Sequence, residues 1–166
     1  MSTLITDVRV FLTAPDGQNL VVVRVETNQP GLYGLGCATN AYRAHAVREM
    51  ILRSLKPLLI GREAGRIEDL WQLMYQSGYW RGGPVAGNAV SGIDMALWDI
   101  KAKKAGMPLY ALLGGRCRDR LTVYRHCTAS TREGVLEKAE AAKCPPHDRV
   151  TAWTEMRLPD GTLHTP

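Results

Sequence analysis

Apolar positions fall into two successive regimes along the chain. From Ile5 to Leu12 they alternate in part and are rich in Val, Ile and Phe, which predicts a strand. Leu20–Val25 predicts a second, strongly β-branched strand and Leu32–Ala38 a third. Ala14-Pro15-Asp16-Gly17 and Asn28-Gln29-Pro30-Gly31 separate them with turn chemistry. Three sequential strands on short turns predict an antiparallel meander. Gly34 and Gly36 weaken the third strand or admit another backbone close to it.

Helical spacing takes over after Asn40, which is read as a helix cap. The first helix carries Val47, Met50, Ile51 and Leu55, and Pro57 is expected to end it or to sit just beyond. A second begins near Arg66, with Ile67, Leu70, Trp71, Met74 and Tyr75 on one stripe. After the loop from Ser77 to Pro84, a long helix runs from about Pro84 to Ala105, with Gly106 as its C′ residue and Pro108 barring continuation. Its apolar face is rich in small residues, including Ala86, Ala89 and Ala96, and so suits close packing. A short turn at Leu109–Leu113 precedes a strand from Leu121 to Tyr124, ending at His126, and a helix from Thr131 to Lys143. The remainder is poorly patterned, with a strand conceivable within Arg149–Leu158.

Composition narrows the function classes. With 45% apolar and 22% charged residues, the chain is ordinary globular material. The net charge of +5 is dispersed, with no aromatic-interleaved basic motif, so nucleic acid is not an expected partner. No apolar run is long enough to span a bilayer, and the N-terminus lacks the pattern of a secretory signal, so no membrane partner and a cytoplasmic location are expected. Cys37, Cys117, Cys127 and Cys144 form no Cys-x-x-Cys pair. A zinc site from Cys117, His126, Cys127, Cys144 and His147 matches no familiar ligand spacing.

The long local motifs are more specific. Tyr79-Trp80-Arg81-Gly82-Gly83-Pro84, the run from Gly92 to Lys101, Ala105-Gly106-Met107-Pro108-Leu109-Tyr110 and Leu112-Leu113-Gly114-Gly115 resemble the mandelate racemase branch of the enolase superfamily. Within it they are most similar to mannonate dehydratase-like acid-sugar dehydratases. The resemblance covers about residues 4 to 142 and implies an α+β capping domain leading into a (β/α) barrel. On that reading, residues 1–115 are the capping domain, 116–143 the first barrel strand and helix, and 144–166 an irregular, divergent tail.

The resemblance further implies proton abstraction α to a carboxylate, Mg²⁺ stabilisation of the enediolate, and loss of a β-hydroxyl from a sugar acid such as an aldonate. A (β/α)₈ barrel needs roughly 250 residues, whereas about 46 remain from Leu121 onward. The reading is therefore an interrupted barrel, with no catalytic or metal-ligating residue in this chain, no tight Mg²⁺ site and no activity alone. Asp94 and Asp99, five apart on the long helix, are read as ion-pairing groups.

Four residues are expected to contact substrate. Trp80 and Arg81 occupy the loop that, in the resembling family, leans over the barrel mouth. Asn40 falls at the edge of its mobile specificity loop. His126 matches a Tyr-x-His position that meets substrate at a strand's C-terminal end. The plainer readings are a loop-packing Trp80, a capping Asn40 and a structural His126. The chain is expected to self-associate or form a homo-oligomer. The alternative function is a non-catalytic orphan domain, or a module pairing with a full-length paralogue.

Overall fold

The computed structural model describes residues 2–119, 124–127, 129–141, 151–154, 156–157 and 163–164. It divides into two compact units, Met1–Gly115 and Arg116–Pro166.

The first unit opens with the meander: β1 (Ile5–Thr13), β2 (Leu20–Thr27) and β3 (Tyr33–Cys37), antiparallel in the order β1-β2-β3. The imperfect alternation of β1 has a physical cause. The register shifts between Ile5 and Asp7, and a bulged residue lets Ile5 and Val8, three apart, both face the core. Val8 then lies opposite Val25, and Val21, Val23 and Val25 are fully buried beneath the helices.

The helical layer follows. The first helical stretch is not one regular helix. It comprises α1 (Ala44–Glu49), a π-helical segment Met50–Leu55, and α2 (Lys56–Leu59). Two sequence expectations are corrected here. Pro57 does not end the helix. The wider π turns shift the bonding pattern, with the Lys56 N–H on the Ile51 carbonyl, and an α turn restarts at Lys56 with Pro57 at its beginning. Asn40 is not the cap either: Arg43 holds that position, and no side chain caps the helix.

Helix α3 (Ile67–Gln76) buries Ile67, Leu70 and Met74. Helix α4 (Gly83–Lys104) lies across the sheet and carries Ala89, Val90, Ile93, Ala96, Leu97 and Ile100 into the core. Each buried Val, Leu or Ile contributes about 1.5–3 kcal/mol relative to exposure. The small residues matter at β3. A Cβ on Gly34 would stand 1.9 Å from the Ala96 carbonyl oxygen, and one on Gly92 2.5 Å from Ala38 Cβ. Strand and helix therefore touch backbone to backbone. Asp99 fastens the same contact: Oδ2 accepts the Leu35 N–H at 2.8 Å and Lys103 Nζ at 2.7 Å, while Lys103 Nζ also donates to the Tyr33 carbonyl.

Helix α4 ends as its sequence dictates. Met107 N–H bonds to the Ala102 carbonyl and Gly106 N–H to that of Lys103, with Gly106 at φ 66°. A short α5 (Leu109–Leu112) completes the unit. The three-stranded sheet and its helices make an α+β capping domain.

In the second unit, β4 (Tyr124–Cys127) is followed by α6 (Arg132–Ala141), and β5 (Thr151–Thr154) pairs parallel with β4. Parallel strands bridged by a helix make a β/α/β unit. The strand conceivable within Arg149–Leu158 is present as β5, beside the antiparallel pair β6 (Met156–Arg157) and β7 (Leu163–His164). Leu121 and Val123 lie outside the described residues.

Candidate functional site

Three loops gather at one end of the first unit. The β1–β2 turn reaches the segment after β3 through Asn19 Nδ2, which donates to the Ala41 carbonyl at 3.1 Å. Thr39 Oγ1 accepts the Val21 N–H at 3.1 Å. Asn88, in the second turn of α4, donates to the Thr39 carbonyl at 3.0 Å. The segment holding Asn40 is thereby tied to the N-terminal end of α4, which the Trp80–Arg81 loop enters. Asn40 itself is half-buried.

Trp80 is 90% exposed and Tyr79 87%, in edge-to-face contact with each other at 5.2 Å. The loop-packing reading of Trp80 is therefore wrong: the ring stands in solvent. Arg81 reaches toward Tyr75, its guanidinium carbon 6.0 Å from the ring centroid, and Tyr75 stacks on Trp71 at 4.9 Å. A ladder of Trp71, Tyr75 and Arg81 thus runs from α3 to the loop.

Behind this loop, between α3 and α4, lies a cavity of about 210 Å³. Trp71, Met74, Tyr75, Trp80, Arg81 and Asp94 are among its lining residues. Asp94 and Asp99 have parted roles. Asp99 is engaged, as described above. Asp94 has no hydrogen-bond or ion-pair partner among the described residues, and burial, reinforced by the Glu68 carboxylate, holds its carboxyl above the ordinary range.

A second cavity, about 270 Å³, lies between the β1–β2 turn and the start of α1, lined among others by Thr13, Asn19, Tyr42 and His45. Sequence reasoning passed over Tyr42 and His45. Tyr42 is 89% exposed, and only the folding of the two loops together reveals the pair. The helical stripe did single out Trp71 and Tyr75, but as core.

His126 belongs to the second unit. It lies within β4, in register with Trp153 of β5, one residue before the strand ends at Cys127. Its side chain falls outside the described residues. Of the cysteines, Cys37 and Cys117 are exposed and free. Among the described residues no three His, Cys, Asp or Glu side chains converge. No helix among the described residues is long and apolar enough to cross a membrane.

The model of the mandelate racemase / muconate lactonizing enzyme N-terminal domain matches residues 3–114. The chain belongs to that family. The match ends one residue before the boundary between the two compact units. The D-galactonate dehydratase family member RspA of Pantoea ananatis is 57% identical over 142 residues, which is 85% of this chain and 34% of the relative. A D-galactonate dehydratase family member of Musicola paradisiaca is 60% identical over 137 residues, 82% of this chain and 33% of the relative. The crystal structure of an enolase from Pantoea ananatis, with bound D-gluconate and Mg, superposes with a TM-score of 0.78 at 56% identity. That alignment covers 84% of this chain and 34% of the other. This enolase-superfamily N-terminal domain and its second unit thus span about a third of the length of the curated relatives they match.

Proposed function

We propose that this chain is the capping, substrate-specificity part of a Mg²⁺-dependent sugar-acid dehydratase, and that it is inactive by itself. The observation that carries the reading is the placement of Trp80 and Arg81. They sit on a loop at the same end of the family's N-terminal domain as Asn40, with the Trp80 ring unpacked and in solvent. A ring left in water costs burial that a substrate or a facing domain restores. Arg81 offers a planar fork suited to a carboxylate. Asn40 offers both a donor and an acceptor to hydroxyl groups.

Bound to such an enzyme, Mg²⁺ supplies Lewis-acid stabilisation of the charge that develops on the substrate carboxylate. The part assigned to this chain's own residues is recognition. Trp80 excludes water, and Arg81 and Asn40 orient the acid and its hydroxyls; the Tyr-x-His resemblance adds His126 as a substrate contact. The substrate class is a hexonate, in keeping with the D-gluconate bound by the Pantoea ananatis relative.

Two measurements test this. The chain is incubated with Mg²⁺ and a panel of hexonates, and 2-keto-3-deoxy acid is measured; no formation above background is expected, and turnover overturns the inactivity. Separately, residues 2–115 replace the corresponding domain of the Pantoea ananatis relative. The chimera is expected to be active, and Trp80→Ala and Arg81→Ala to raise KM and alter hexonate preference. A chimera indifferent to both substitutions overturns the specificity role.

A further inference from the structure

The cavity between α3 and α4 holds a group that the dehydratase reading does not use. Its walls are aromatic and thioether: Trp71, Tyr75, Met50 and Met74. Asp94 enters from α4, partly removed from water and making no hydrogen bond or ion pair among the described residues. A second carboxylate, Glu68 in the first turn of α3, lies close enough to raise the cost of its charge. A carboxylate in this setting is stabilised by a cation, and the aromatic faces favour the same sign.

Other ligand classes fit less well. One lining carboxylate among rings and thioethers is no cage for Mg²⁺ or Ca²⁺, which demand several oxygen ligands. Arg81 would attract an acid, but it is exposed at the rim, where solvent and salt screen it.

We propose that this cavity binds a small organic ammonium, with its N–H groups on the Asp94 carboxylate and its apolar body against Trp71, Tyr75 and the two methionines. The proposal does not rest on the dehydratase reading: it needs neither Mg²⁺ nor a sugar acid and its ligand has the opposite charge, although Trp80 and Arg81 line this cavity too.

The test uses the full chain with methyl-labelled methionine and n-butylammonium as probe. Met50 and Met74 line the cavity, whereas Met95 and Met107 are exposed elsewhere and serve as references. Saturable shifts of the Met50 and Met74 methyl signals are expected, with the reference signals unmoved. The neutral analogue 1-pentanol and the anion butyrate are titrated in parallel on the same unmodified chain. Both are expected to bind at least roughly tenfold more weakly, the difference one charge-assisted contact makes. Asp94→Asn is expected to remove that preference and leave ammonium and alcohol alike. Equal binding of alcohol and ammonium, tighter binding of butyrate, or no saturable shift in the unmodified chain would each overturn the site. Retention of the full ammonium preference in a folded Asp94→Asn chain would do so as well.

Discussion

Gly36 and Gly92 meet so closely that a Cβ added to Gly36 would stand 1.9 Å from the Gly92 carbonyl oxygen. Backbone cannot yield as a flexible side chain does, so Gly36→Ala forces β3 away from α4. The expected cost is about 1–3 kcal/mol or more, measured as a lowered denaturation midpoint. Gly65→Ala, with open space around it, is expected to be near neutral. Gly87→Ala, at an exposed position in the second turn of α4, is expected to stabilise by about 0.5–1 kcal/mol through helix propensity. Equal effects of the three substitutions would remove the close-approach account.

Asp99 joins α4 to β3 through the Leu35 N–H and Lys103. Asp99→Ala removes that acceptor from an exposed backbone donor, which water then meets, and is expected to cost about 0.5–1.5 kcal/mol. Asp99→Asn keeps an acceptor oxygen and is expected to lose less. Urea unfolding of both variants checks the order.

The Asp94 carboxyl is held up by burial first and by Glu68 second. The folded chain therefore keeps this proton at a higher pH than the unfolded chain, where the group titrates near the ordinary value of about 3.9. The stability tied to the protonated form is complete below that value and is lost as pH rises through the folded value. Asp94→Asn abolishes the loss. It is expected to melt higher than the native chain at neutral pH and to match it near pH 3. An advantage that persists undiminished in acid would refute the assignment.

Trp80 and Trp71 make a contrasting pair. Trp80 is 90% exposed, so Trp80→Ala is expected to change stability by no more than about 0.5 kcal/mol. Trp71 is packed against the core and stacked on Tyr75, so Trp71→Ala is expected to cost several times more. Thermal melts of both variants decide the matter.

Periodicity alone determined most of the capping domain. The meander, the stripe of α3, the extent of α4 and its Gly106 terminus are local matters of side-chain alternation, helical spacing and backbone freedom, all visible in a single segment. The motifs around Tyr79–Pro84 and Gly92–Lys101 carried the family as well. Tertiary structure decided what depends on pairs distant in sequence. Pro57 is tolerated because the preceding turns widen to the π form. The first helix starts at Ala44, so Asn40 is left uninvolved in capping. Asp94 and Asp99 look alike on the helix, yet Asp99 meets a strand 64 residues away while Asp94 faces a cavity built by another helix. Whether a carboxylate finds a donor, and whether a tryptophan finds a wall, depends on which surfaces the fold brings opposite it; spacing along the chain carries no record of that.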